Sequence, residues 1–173
     1  MYESPLGPLT LIGGAAGIRA LAFPGRSRVL LEADREPQVL GEATTQLDEY
    51  FAGDRQTFDL PLDLEGTPFL QRVWRALQQI PYGATTTYGA LADELGVTSS
   101  VGFTAARKVA GAIAATPTPI IVPCHRVIAA DGRLTGYVGG LQRKRMLLDL
   151  EAAGGAYNTQ RYLICGLTLQ IGA

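Results

Sequence analysis

The chain contains one histidine, and it directly follows one of only two cysteines: Cys124-His125, inside Pro123-Cys124-His125-Arg126-Val127. A cysteine attacks as its thiolate, a form that an adjacent imidazole or a helix N-terminus favours. The chemistry on offer is therefore nucleophilic attack by sulfur. A buried structural cysteine beside a surface histidine fits the residue types equally well. Neighbours on a strand point to opposite faces, so Cys124 and His125 can cooperate only if the backbone turns there. Pro123, just after the apolar run Ile120-Ile121-Val122, is where such a turn can begin. A working imidazole also needs an acid on its other nitrogen, and Asp131, Asp149 and Glu151 stand within thirty residues. Two cysteines and one histidine leave a structural zinc without a fourth ligand of the usual kind, so no metal is expected. They cannot build a disulfide framework either, although a Cys124–Cys165 bridge is arithmetically possible and would block the thiol. Cys165 reads most simply as a buried residue.

The elements that must position this pair fall into two groups. Leu9–Ile12 and Ile18–Phe23 are strand-like runs parted by Gly13, Gly14 and Gly17, which suits a hairpin. Val39, Leu40, Ala43, Leu47, Tyr50 and Phe51 recur at helical spacing behind Pro37, and Gly53 closes that helix. Phe58, Leu60, Leu62 and Leu64 alternate with polar residues and Pro61, an edge or linker pattern. A boundary is expected at Gly66-Thr67-Pro68. Thr67 then caps a helix with Pro68 at its first position and an apolar stripe through Phe69, Leu70, Val73, Trp74, Leu77 and Ile80. A second helix follows Thr85-Thr86-Thr87 and stops at Gly96. A third, rich in alanine, runs from about Thr104 to Ala115 with Arg107 and Lys108 as its only charges. Close helix packing explains that composition as well as a smooth face lying against something large. Two short helices in succession suggest a helix-turn-helix, although the joint from Gly96 to Phe103 is long for one. The expected fold is an α/β N-terminal domain of a small sheet plus helix over 1–66. A mostly α C-terminal domain with a helix-turn-helix follows over 67–155, and a tail over 156–173.

The 173 residues are 47% hydrophobic and 18% charged, with a formal net charge of −1. That mix is too apolar and too evenly charged for a disordered chain. No apolar run reaches the length of a membrane span, and MYESPLGPLT lacks a basic segment and an apolar core, so a cytoplasmic protein with no membrane partner is expected. The charge is unevenly spread. Residues 1–67 carry five arginines and eleven carboxylates, whereas residues 68–151 carry nine lysines and arginines and five carboxylates. An anionic partner would meet the second half. A solvated surface with an uneven distribution accounts for the numbers equally well.

Several motifs in order resemble the O6-alkylguanine-DNA alkyltransferases, the methylated-DNA–protein-cysteine methyltransferases. They are Gly66-Thr67-Pro68-Phe69 leading to Val73-Trp74, Ile80-Pro81-Tyr82-Gly83, Thr87-Tyr88-Gly89 and Ala105-Ala106-Arg107. The cysteine motif, Gly136-Tyr137-Val138-Gly139-Gly140 and Lys144 to Glu151 complete the set. The resemblance covers roughly residues 66–151 and is one of arrangement alone before that. It implies suicide transfer of an alkyl group from O6-alkylguanine, with O4-alkylthymine a second substrate, in double-stranded DNA. It also implies a monomer that needs no cofactor. Cys124 corresponds to the acceptor, His125 to the base that takes its proton through a water, and Glu151 to the acid that orients the imidazole. Tyr88 corresponds to the residue that helps rotate the nucleotide out and protonates the departing guanine. Arg107 corresponds to the side chain that fills the gap in the base stack, and Tyr137, Val127, Gly139 and Pro119 to the base pocket. Thr104, Ala105 and Lys108 share the DNA-facing helix with Arg107.

Two departures stand out. Most of the family has asparagine eight residues before the cysteine, where this chain has Thr116, and a threonine can replace only part of an asparagine's hydrogen bonding. The stretch from Tyr88 to Arg107 is also about five residues longer than the family's pattern, which could change how Arg107 meets DNA. Two alternatives follow: a non-catalytic alkyltransferase-like protein that binds lesions and flags them for another pathway, and a Cys–His hydrolase. The first usually lacks the cysteine, and the second requires an oxyanion hole for which no motif is visible.

Overall fold

The structure, a computed structural model, describes residues 1–24 and 37–154. Cys165 and the 156–173 tail lie outside the described residues. Three antiparallel strands, β1 (Tyr2–Ser4), β2 (Gly7–Gly14) and β3 (Gly17–Ala22), form a sheet in chain order. The hairpin joins β2 and β3 as expected; β1 is too short to show a pattern in the sequence. Helix α1 (Pro37–Ala52) covers the sheet with Ala43, Leu47, Tyr50 and Phe51, all buried. The 58–64 segment runs along the free edge of β3. The Ile18 amide donates to the Pro61 carbonyl at 2.8 Å, and the Asp63 amide donates to the Ile18 carbonyl at 3.0 Å.

Gly17 makes this edge pairing possible. Its φ is +133°, and a Cβ there would collide with the Pro61 carbonyl. Gly17→Ala is expected to cost about 2–4 kcal/mol, from backbone strain and overpacking together. A denaturant midpoint unchanged from the parent would contradict this.

Helix α2 (Pro68–Leu77) begins at Thr67, whose Oγ1 accepts from the Leu70 amide at 3.3 Å. It buries Val73, Trp74 and Leu77, and the Trp74 indole donates to the Ala112 carbonyl at 3.0 Å. Strand β4 (Thr86–Thr87) pairs in parallel with β5 (Val127–Ile128). Thr87 caps α3 (Tyr88–Glu94) and Thr104 caps α4 (Ala105–Ala114), so both helices of the helix-turn-helix start at the expected threonines. Helix α5 (Leu141–Ala152) completes the described chain. No helix among the described residues is long and apolar enough to cross a membrane.

Two apolar clusters result, and the reactive segment lies between them. Ile120 and Ile121 join the cluster of the sheet, α1 and α5. Val122, Cys124 and Val127 join the cluster of α2, α3 and α4. The Leu21 amide of β3 donates to the Pro117 carbonyl at 2.9 Å, tying the sheet to the approach of this segment.

Candidate active site

The turn needed at Cys124-His125 exists. Ile120 has φ +77°. Such a value is unusual for a β-branched residue. Cys124–Arg126 then form a single 3-10 turn after Pro123. Both Cys124 and His125 are buried within that turn.

Among the three candidate acids, Glu151 reaches the imidazole. Its Oε1 lies 2.8 Å from His125 Nε2 and also accepts from the Tyr50 hydroxyl at 2.7 Å and Arg126 Nη2 at 2.9 Å. Its Oε2 accepts from Arg126 Nε at 2.9 Å and the Gly83 amide at 3.0 Å. Burial opposes ionisation, but the hydrogen bonds and charges of His125 and Arg126 prevail and hold the carboxyl at about 2. A carboxylate only accepts, so Nε2 carries the imidazole proton and Nδ1 carries the lone pair. Nδ1 has no hydrogen-bond partner among the described residues. Burial pushes the His125 pKa down, so the imidazole rests neutral and able to take a proton.

Burial dominates at Cys124 too and pushes the thiol up to about 12. The groups opposing it are Lys144, the Thr116 hydroxyl and the backbone amides of Cys124 and His125. The resting cysteine is therefore a thiol that must lose its proton to react. Lys144 is fully buried, and its ammonium donates to the carbonyls of Val127 at 2.6 Å, Thr135 at 2.8 Å and Gly136 at 3.3 Å. Burial lowers its pKa to about 8 while the facing cysteine raises it.

Thr116 is buried against Cys124 and favours the thiolate electrostatically, without reaching regular hydrogen-bond geometry with any protein atom among the described residues. Thr116→Val is therefore expected to slow Cys124 alkylation by iodoacetamide about three- to tenfold, without lowering the denaturant midpoint, since it removes an unsatisfied buried hydroxyl. Alkylation at the parent's rate, followed by intact mass, would remove Thr116 from the thiolate's surroundings.

Cys124 opens onto a cavity of about 580 Å3 whose lining includes Tyr88, Arg107, Thr135, Gly136 and Tyr137, with the small side chains Ala106, Ala110 and Ala114 of α4 along one wall. Tyr88 is half-buried, and its hydroxyl donates to the Thr135 carbonyl at 3.2 Å. The Tyr137 ring meets His125 edge-on at 6.4 Å. Three expected pocket residues stand behind the wall instead. Val127 is buried in β5, Pro119 is buried in the turn before Ile120, and Gly139 lies under the Phe23 and Tyr137 rings, where a Cβ would approach within 2.6–2.8 Å. None of the three lines the cavity. Thr104, Ala105 and Lys108 occupy the start of α4 beside Arg107, outside the cavity.

Tyr50, Arg126 and Lys144 are site residues that the sequence reading missed. Lys144 and Glu151 had a readable signal: seven residues apart on α5, they share one face with Leu147, and a charge on an apolar stripe requires a buried partner. Tyr50 lies 101 residues from Glu151 in sequence, and no local pattern connects them.

Fold and site together define a class of protein in which a buried cysteine, backed by a histidine–glutamate pair, forms the floor of a cavity beside a helix-turn-helix. Residues 68–153 match the family described as 6-O-methylguanine DNA methyltransferase, DNA binding domain, and residues 1–64 match its ribonuclease-like domain. The chain is 47% identical to a methylated-DNA–protein-cysteine methyltransferase of Mycobacterium tuberculosis, over 86% of this chain and 88% of that one. It is 42% identical to one of Methanosarcina acetivorans, over 88% and 97% respectively. A solved Mycobacterium tuberculosis OGT in complex with DNA superposes with a TM-score of 0.78 at 47% identity, covering 89% of this chain and 92% of that one. This chain thus belongs to the methylated-DNA–protein-cysteine methyltransferase family.

Proposed function

We infer that this protein repairs DNA by transferring the alkyl group from O6 of guanine to its own Cys124, once per molecule. The observation that carries the reading is the Cys124 thiol at the floor of a cavity, with His125 and Glu151 behind it and Tyr88 and Arg107 among its lining. An alkylated O6 inside a duplex is out of reach of a buried sulfur, so the nucleotide must rotate out into the cavity at a cost of a few kcal/mol. Arg107, exposed on α4, fills the gap left in the stack and offsets part of that cost. The alanines of α4 let the helix approach the minor groove closely.

His125 Nδ1 takes the thiol proton across a bridging water, and Glu151 stabilises the imidazolium that forms. The sulfur electron pair forms the new C–S bond while the C–O6 bond breaks and its electrons remain on guanine. Tyr88 supplies a proton to the departing base and recovers one from the His125 imidazolium through solvent, so the net proton moves from sulfur to guanine. A thioether offers no easy leaving group, and the protein is consumed. The protein acts in the cytoplasm as a monomer on double-stranded DNA, without a cofactor. Residues 67–155 bind DNA and carry the acceptor, and residues 1–66 form the N-terminal domain, a division that the family matches over 68–153 and 1–64 support.

The alkyltransferase-like lesion binder is not favoured, since Cys124 is present and the relatives are named as methyltransferases. The test is intact mass and peptide mapping after mixing with a duplex holding one O6-methylguanine. One methyl on Cys124 per protein is expected. Duplex binding with no mass gain would restore the lesion binder, and repeated turnover would restore the hydrolase.

A further inference from the structure

The 97–103 joint between Tyr88 and Arg107 has a defined structure that the transfer chemistry does not use. Ser100 and Phe103 exchange both backbone hydrogen bonds at 2.9 Å, closing a tight hairpin with Val101 and Gly102 at its tip. Gly102 has φ +80°. A positive φ at the second central residue is what this turn requires. The hairpin is fastened to α4 at two points: the Ala105 amide donates to Ser99 Oγ at 3.1 Å, and Lys108 Nζ donates to the Thr98 carbonyl at 2.8 Å. It is therefore a fixed projection from the N-terminal end of the helix that carries Arg107.

Its tip is apolar and in solvent. Val101 is 103% exposed and Phe103 54%, and they are two of the four large hydrophobic side chains most exposed among the described residues. The Arg107 guanidinium lies over the Phe103 ring at 5.7 Å, and that of Arg72 lies over Phe69 at 5.9 Å. Between the hairpin, α2 and α4 runs an open groove of about 650 Å3 whose charged lining among the described residues is Arg72, Arg107 and Lys108. Cations along a groove suit a phosphodiester strand, and an apolar tip next to them suits sugar edges and the base step in a minor groove.

We propose that the 97–103 hairpin is a second DNA-contacting element, which lays Val101 and Phe103 against the duplex beside Arg107 while Arg72 and Lys108 of the groove hold one phosphate strand. This rests on the reading of the protein as a DNA alkyltransferase.

The test uses the full chain with opposite charges placed at the tip, since a side chain as exposed as Val101 can be changed without disturbing the core. Val101→Lys is expected to tighten binding to an undamaged duplex about fivefold and to steepen its salt dependence by about one phosphate contact. Val101→Asp is expected to weaken binding by a similar factor. Affinities equal to the parent's in both variants would overturn the proposal, as would shifts of the same sign. Reactivity with free O6-benzylguanine base, which needs no duplex, should stay at the parent's level in both. A loss there would place the hairpin's effect on the cavity and overturn it too. Failure of the parent itself to gain an alkyl group on Cys124 would instead sink the alkyltransferase reading, so the two failures are distinguishable.

Discussion

A Cys124→Ala protein is expected to lose alkyl transfer altogether, a decrease of at least about a thousandfold in rate, while still binding duplex DNA. Cys124 is the one sulfur-bearing residue of the cavity lining among the described residues. The fold should survive the change. The thiol rests protonated, so no charge is lost from the core. The small cavity left by sulfur costs roughly a single kcal/mol, as for removal of one buried methyl-sized group. The measurement pairs single-turnover alkyl transfer with duplex affinity. Residual methyl gain anywhere on the variant would mean that another residue accepts the alkyl group, and the assignment of Cys124 would fail.

Glu151→Gln is expected to damage chemistry and stability together. The carboxylate accepts from Tyr50, His125, Gly83 and both guanidinium nitrogens that Arg126 turns towards it. A glutamine would present an NH2 group to donors and leave the Arg126 charge buried without a counter-charge, costing about 3–5 kcal/mol. The imidazole would lose the group that sets its tautomer and balances its protonated form, slowing transfer to free O6-benzylguanine by about 10²–10⁴-fold. The pH dependence of stability gives an independent readout. The Glu151 pKa is depressed from 4.5 to about 2. Its contribution is therefore present in full above the ordinary carboxylate value and is lost as pH falls through the depressed one. The His125 pKa is lowered by burial. Protonation there favours the unfolded chain and destabilises in the same direction. Urea midpoints followed from neutral pH into acid should therefore fall less steeply for Glu151→Gln than for the parent. Parallel acid branches would show that this carboxylate is not what acid titrates.

Local signals in the sequence are legible where one residue type has one backbone use. Thr67, Thr87 and Thr104 each precede a helical apolar pattern, and each accepts from an amide three residues on. The Leu9–Phe23 hairpin is legible because glycines interrupt two apolar runs at the right spacing. The pocket is less so. Val127, Gly139 and Pro119 are close in sequence to lining residues, but adjacency along the chain does not say which side of a wall a residue occupies.

Element order, helix starts and the adjacency of one cysteine and the single histidine follow from the chain alone, because propensity, capping and composition act over a few residues. Which of Asp131, Asp149 and Glu151 reaches the imidazole does not follow from it. Packing selects Glu151, by setting α5 against the 3-10 turn and bringing Tyr50 of α1 to the same side chain, so that Tyr50, Arg126 and the Gly83 amide converge on one carboxylate. A buried charge is stable only where such distant donors meet, and their meeting is a property of the folded whole rather than of any local stretch of chain.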